Sequence, residues 1–167
     1  MTVFVRSSIC ELSDAPDDAA SLLAHWQNLC GTRKQPARRE IDPAQLRPYL
    51  GFLCILDVRD QPEDFIFRLF GTGISDFMNM DLTGRSVRDF QPAELGERIF
   101  TQIKDVVEAG RPALYRMEVS RDKPPRTTAS YRLLLPLSDD GTAINHVLTY
   151  TRFDAMPPDF WSRINPS

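Results

Sequence analysis

The chain has 167 residues, 42% of them hydrophobic and 10% aromatic, with a formal net charge of −3. That length fits one domain able to bury its own core, and the near-neutral charge argues against a nucleic-acid partner. Cys10, Cys30 and Cys54 stand far apart with no Cys-x-x-Cys or His-x-x-x-His spacing, so neither a disulfide framework nor a metal site is expected.

Residues 1–16 read as an N-terminal extension without the basic and apolar regions of a secretory leader, and no run of about 18 apolar residues follows anywhere. A cytoplasmic protein without membrane contact is the expectation. From Asp17 to Cys30, Leu22, Leu23, Trp26, Leu29 and Cys30 recur on one stripe between Pro16 and Gly31, predicting an amphipathic helix. The basic run "RKQPARR" at 33–39 reads as a solvated connection. Asp42 and Pro43 then open a helical turn that Pro48 limits.

Two strands follow, at 52–58 and 65–71, joined by a turn containing Pro62. "ISDFMNM" predicts one or two helical turns, and Gly84 suits a tight connection. Leu95, Ile99, Ile103, Val106 and Val107 mark the longest helix, between Pro92 and Gly110. Strands at 113–120, 129–138 and 143–153 complete an order ββααβββ, in which the last three form an antiparallel meander and the helices cross one sheet face.

Gly71 and Gly73 invite a phosphate-cradle reading, but a dinucleotide fingerprint needs glycine where Asp76 stands, and no Gly-Lys-Ser/Thr occurs. The glycines are instead expected to let the chain leave a sheet edge sharply, with Thr72 and Thr83 bonding to nearby backbone.

Four pieces carry a resemblance: Pro-x-Arg…Ile-Asp-Pro at 36–43, Arg-Leu-Phe-Gly-Thr at 68–72, Asp-Leu-Thr-Gly at 81–84, and Leu-Pro-Leu at 135–137. Together they resemble short single-domain bacterial PAS-like proteins over most of the chain. The resemblance implies an α+β fold with a five-stranded antiparallel sheet in the order 2-1-5-4-3, the third strand at an edge. The domain would span 17–153, helices covering one face and the 17–30 helix covering the other or forming a dimer contact, with 154–167 as a tail.

In PAS-like folds the cavity lies between the inner sheet face and the helices after strand two. Its expected lining is Phe67, Leu69, Phe77, Met78, Met80, Ile103, Tyr115, Met117, Tyr131, Leu133 and residues 146–150, including His146; core packing is the competing reading for most of them. Arg68 and Arg152, in otherwise apolar strands, either point outward, pair with carboxylates such as Asp57 or Glu118, or meet an anionic ligand. Relatives with flavin photochemistry resemble one another through an Asn-Cys-Arg-Phe-type sequence after strand two; "GISDFMNMDL" has no cysteine, and haem has no support beyond the lone His146.

The expected function is a non-enzymatic sensor or adaptor that binds a small ligand, a protein partner, or both, and forms a homodimer through the first helix. Its signal would leave through that helix, the outer sheet face, or a tail with exposed Phe160 and Trp161. The alternatives are a small enzyme with Asp57 or Asp81 as base and Tyr131 as electrophile, and a purely structural interaction domain.

Overall fold

The computed structural model describes residues 1–60 and 63–166; Pro62 and the centre of its turn lie outside them. Two acidic residues in the first turn favour α1 (Asp17–Cys30), and Gly31 at φ 59° ends it. The other helices are α2 (Thr72–Met78), directly after the opening hairpin, and α3 (Ala93–Ala109), which Gly110 ends at φ 64°. The strands are β1 (Val3–Cys10), β2 (Leu53–Asp60), β3 (Glu63–Phe70), β4 (Ala113–Asp122), β5 (Pro125–Leu137) and β6 (His146–Phe153).

All neighbouring strands are antiparallel, in the order β1-β4-β5-β6-β2-β3. The five strands expected from sequence form a contiguous set in the expected order. Two expectations are corrected: the N-terminal segment is not outside the sheet, and β4 is not an edge. Val3–Cys10 pairs with β4 along its whole length. Its sequence hid this because Phe4 and Ile9 are exposed and only Val5 is fully buried, so main-chain pairing rather than an apolar period carries the strand.

Both sheet faces are covered. On the inner face α2, α3 and the C-terminal segment pack over Leu56, Phe65, Phe67, Tyr115, Met117 and Leu134. On the outer face Leu22, Leu23, Trp26 and Cys30 of α1 pack on Leu114, Leu133, Leu135, Leu137 and Leu148. The Trp26 indole also donates to the Pro136 carbonyl at 3.1 Å. The stripe expected to serve a dimer is therefore buried within the chain.

The connection at 33–40 keeps Arg33, Lys34 and Arg39 exposed, as its charge predicted, but buries Gln35, Pro36 and Ala37. Arg33 holds both oxygens of Glu40 at 2.7 and 2.8 Å, and Glu40 accepts the Ala37 N–H at 2.7 Å. The Arg33 bond is the main reason the Glu40 carboxyl is held down at about 2. Gln35 donates to the Gly110 carbonyl, and the Ser138 N–H donates to that of Pro36, so the segment is tied to both α3 and β5.

The glycines have a different job from the one expected. Gly71 sits at φ −60°, a conformation open to any residue, but a methyl group there would lie 2.5 Å from the Gly51 carbonyl oxygen and 2.7 Å from that of Leu53. Close backbone approach, rather than a sharp exit, is what requires it. Thr83 bonds to the Asp81 carboxylate, which also accepts the Thr83 N–H.

On the outer face an ionic chain ties three strands together. Arg68 of β3 donates to Asp57 of β2 at 2.8 Å; His146 of β6 lies 2.8 Å from Asp57 and 2.9 Å from Asp139. Burial alone would raise the Asp57 pKa, but the Arg68 and His146 bonds outweigh it and hold the carboxyl below its usual range. Asp139 follows the same pattern, with burial opposed by the Arg38 N–H and His146. A carboxyl with a lowered folded pKa stabilises the fold above its unfolded value of about 3.9, and that contribution is lost as pH falls through the folded value.

Two outcomes follow for unfolding in urea. Gly71→Ala costs about 3 kcal/mol, against about 1 kcal/mol for Gly84→Ala, whose site is open but has φ 79°. Asp57→Asn destabilises by about 1 kcal/mol at pH 7, and its deficit shrinks as pH is lowered from about 5 toward 2.5. A deficit constant across that range would contradict the ionic account.

Candidate functional site

Alternation along β5 and β6 sends every second side chain toward the helices. On the inner face this places Thr128, Ser130 and Arg132 of β5 beside Thr149 and Thr151 of β6, a polar strip under an otherwise apolar layer. A cavity of about 50 Å³ lies above the strip. Ile74, Met78, Phe90, Leu95 and Ile99 wall it from the helix side, Phe67 and Phe70 come from β3, and Cys54 and Met117 border the strip. As it stands it has room for a few waters at most.

Arg132 is the main polar feature of this cavity. It is 7% exposed, and its Nη1 donates at 3.0 Å to Oε1 of Gln102, itself 3% exposed on α3. Gln102 donates in turn to the Ser7 hydroxyl of β1 at 2.7 Å and lies 2.8 Å from the Met117 sulfur. Among the described residues Arg132 has no carboxylate within ion-pairing distance. Its ionisable neighbours are Cys54 and Tyr115, and burial pushes the Cys54 thiol up to about 11 and raises the Tyr115 phenol. Neither supplies a counter-charge at neutral pH. Burial also draws the guanidinium down to about 10, still protonated at pH 7.

The last wall comes from the C-terminal segment. Phe160 and Trp161, expected as exposed signalling groups, are 0% and 2% exposed. Trp161 lines the cavity and packs edge-on to Phe77, its ring centroid 6.4 Å away. Reciprocal bonds clip this segment to the end of α2: Asn79 donates to the Asn165 carbonyl at 2.7 Å, and Asn165 to that of Met78 at 3.0 Å. The closure leaves polar atoms without partners, namely the Trp161 indole N–H and, under Phe160, Nε and Nη1 of Arg121.

Of the residues expected to line the pocket, the structure brings Phe67, Met78 and Met117 to it. Ile103, Tyr115, Phe77 and Met80 belong to the same apolar cluster without reaching the cavity. Thr149 also lines the cavity and Val147 joins the inner cluster, while the others lie on the outer face. Leu69 is turned outward by a bulge in the β2–β3 pairing, which brings Phe70 inward instead. Tyr131 and Leu133 are out of phase with Arg132, and Tyr131 lies beneath the Arg116 guanidinium, 4.5 Å from its ring centroid. His146 and Arg68 belong to the Asp57 network, and Arg152 donates to Asp18 at 3.2 Å. Within 146–150 only Val147 and Thr149 face inward.

The enzyme arrangement fares similarly. Asp57 is held by Arg68 and His146, Asp81 by Thr83, and Tyr131 faces the other side of the sheet. A carboxylate does meet a tyrosine, Asp18 accepting from Tyr150 at 2.6 Å, but on the outer face under α1. Arg132 went unnoticed because "SYRLLLPL" is bulky at both phases; only the polar set Thr128, Ser130, Arg132 at period two marked the inner face. A flavin photocycle does not fit these residues, since α2 carries no cysteine and the space is small. No three His, Cys, Asp or Glu residues among those described could together hold a metal ion, and no described helix is long and apolar enough to cross a membrane.

Known proteins place this geometry. The fold is similar to that of the Vibrio cholera VqmA protein in complex with ligand and DNA, at 13% identity and a TM-score of 0.51, over 68% of this chain and 51% of that one. A light-oxygen-voltage domain studied with a flavin analogue gives 16% identity and 0.50, over 72% of this chain and 87% of that one. An RNA-binding light-oxygen-voltage receptor gives 13% and 0.50, over 90% of this chain and 38% of that one. The chain thus spans about half of the VqmA chain and less of the receptor. Two of the three are described with nucleic acid, so the expectation of no nucleic-acid partner gains no support from these likenesses. No curated protein matches the sequence. A PAS domain family matches residues 15–149, and with the sheet order and the helix-covered inner face this chain belongs to that family.

Proposed function

We propose that this chain is a non-enzymatic sensory module of the cytoplasm that takes a small molecule into the inner-face cavity and reports its presence through the C-terminal segment. The observation that carries this reading is the position of Trp161. It lies beyond residues 15–149 of the family match, yet it forms a wall of the cavity, in a segment that packs Phe160 and Trp161 on the inner-face core and is clipped to the end of α2 at Asn79 and Asn165. A molecule larger than a few waters has to move that wall, and moving it releases the segment. The orphaned indole N–H and the orphaned atoms of Arg121 leave the closed arrangement short of its full hydrogen bonding, which favours a switchable contact over a permanent one.

The released segment and the surface under it form the output, directed at a protein partner. Similarity to a structure of VqmA with its ligand and DNA supports a PAS fold working as a ligand-dependent module, and leaves the identity of any partner of this chain to experiment. The free thiols Cys10, Cys30 and Cys54 accord with a reducing compartment.

Native mass spectrometry of the protein purified from its own host is expected to show a retained small molecule. Ser130→Leu, which fills the space from the sheet side, is expected to lose it. Adding the molecule back to the stripped protein should speed amide exchange across residues 154–166 by tenfold or more. Failure to retain or bind any small molecule, or an unchanged segment on binding, would leave the interaction-only alternative standing.

A further inference from the structure

Resting on the reading of this cavity as a ligand site, we propose that its ligand is an amphipathic monocarboxylate whose acid group is held by Arg132. The starting point is a buried cation without an anion. Arg132 projects from the centre of a sheet covered on both faces, lines the cavity, and has one neutral hydrogen-bond partner, the Gln102 side-chain oxygen. An unpaired guanidinium in such a place destabilises the empty fold, and a hydrophobic side chain of similar size would pack there without that cost. An incoming anion removes the penalty.

The surroundings specify the class of anion. A guanidinium presents a planar fork that matches a carboxylate with two parallel bonds. Thr149, Thr151, Ser130 and Thr128 add neutral hydroxyls around it, but among the described residues no second lysine or arginine lines the cavity. One positive charge among hydroxyls suits a single negative charge, whereas a phosphate dianion would leave charge unbalanced. The rest of the lining is apolar, from Phe67 and Phe70 of β3 and from Ile74, Met78, Leu95 and Ile99 of the helices. A ligand with its acid on the sheet and a hydrocarbon or aromatic body toward α2 and α3 satisfies both sides. A body of more than a few heavy atoms exceeds the present 50 Å³ and meets Trp161.

The Gln102 bonds add a positioning element. Gln102 fixes one arm of the guanidinium and is itself anchored to Ser7 of β1. The edge strand that sequence reading left outside the domain thereby helps to orient the anion-binding group.

The test compares matched acids and amides. Propionate, benzoate and octanoate, each with its primary amide, are added to wild-type protein and to Arg132→Met, and thermal unfolding is followed with amide NMR spectra. At least one acid is expected to raise the wild-type melting temperature by about 3 °C or more at roughly ten times its Kd, its amide to have less than a tenth of its affinity, and Arg132→Met to lose the effect. Without ligand, Arg132→Met is expected to melt about 3 °C or more above wild type, because the uncompensated charge is gone. The double variant Gln102→Leu/Arg132→Met removes the carbonyl that the single change strands, and should melt at least as high as Arg132→Met.

Equal binding of acid and amide would overturn the carboxylate inference while leaving the sensory reading intact, as would a neutral molecule retained from the host. Binding of neither class together with no retained molecule would overturn both. Melting of both variants below wild type would assign Arg132 a structural role and overturn the inference; if either variant fails to fold, the acid–amide comparison on wild type decides.

Discussion

The structure turns on a conflict of environments: a sheet covered on both faces carries a polar strip on the face that the helices press against. β5 from Thr128 onward and β6 as far as Thr151 are largely buried, Leu133, Leu135, Leu137, Leu148 and Tyr150 against α1 and Thr128, Ser130, Arg132, Thr149 and Thr151 toward the other helices. Against α1 the outer face meets apolar surface with apolar surface. On the inner face hydroxyls and a guanidinium meet phenylalanines, methionine and isoleucine, and a small space is left between them. Close packing is the normal state of a protein interior, so a void at a polar and apolar boundary marks a place where something else can sit.

The C-terminal segment follows from the same conflict. Trp161 and Phe160 supply the apolar cover that the inner face still lacks beyond α3, yet they do so incompletely. The indole N–H finds no acceptor, and Arg121 is covered by an aromatic face with two of its nitrogen atoms unbonded. A cover that satisfies apolar surface but not polar atoms is held less firmly than the helices beside it. The outer face carries hydrogen-bonded networks of its own: Asp57, His146, Asp139 and Arg68 at one end and Asp18, Tyr150 and Arg152 under α1.

The fold was legible in the sequence to the extent that periodicity reports it. The stripe from Leu22 to Cys30, the recurrence from Leu95 to Val107, and three closely spaced strand runs after them define the helices and the meander. A helix stripe must be buried and a short loop can join only antiparallel neighbours, which explains why these readings held. The strand at Val3–Cys10 was not legible, since an edge strand held by its main chain needs no apolar alternation. The candidate site was legible only in part. Phe67, Met78 and Met117 were found because they belong to regular inward phases, whereas a single bulge reversed Leu69, and the choice of Tyr131 over Arg132 was a choice of phase on a strand buried on both sides.

What the sequence determined by itself, then, is an antiparallel meander with helices inserted after an opening hairpin, because local patterns of burial and turn chemistry suffice for that; the PAS-like sheet was what the resemblance of its motifs implied. Only the tertiary structure decided that Arg132 is a buried cation with no acid beside it, that Trp161 closes the cavity, and that Asp57, Asp139 and His146 meet across strands far apart in the chain. Each of these depends on which residues from distant segments come within a few ångströms. That proximity is set by sheet register and by the path of the chain's end, neither of which has a periodic signature.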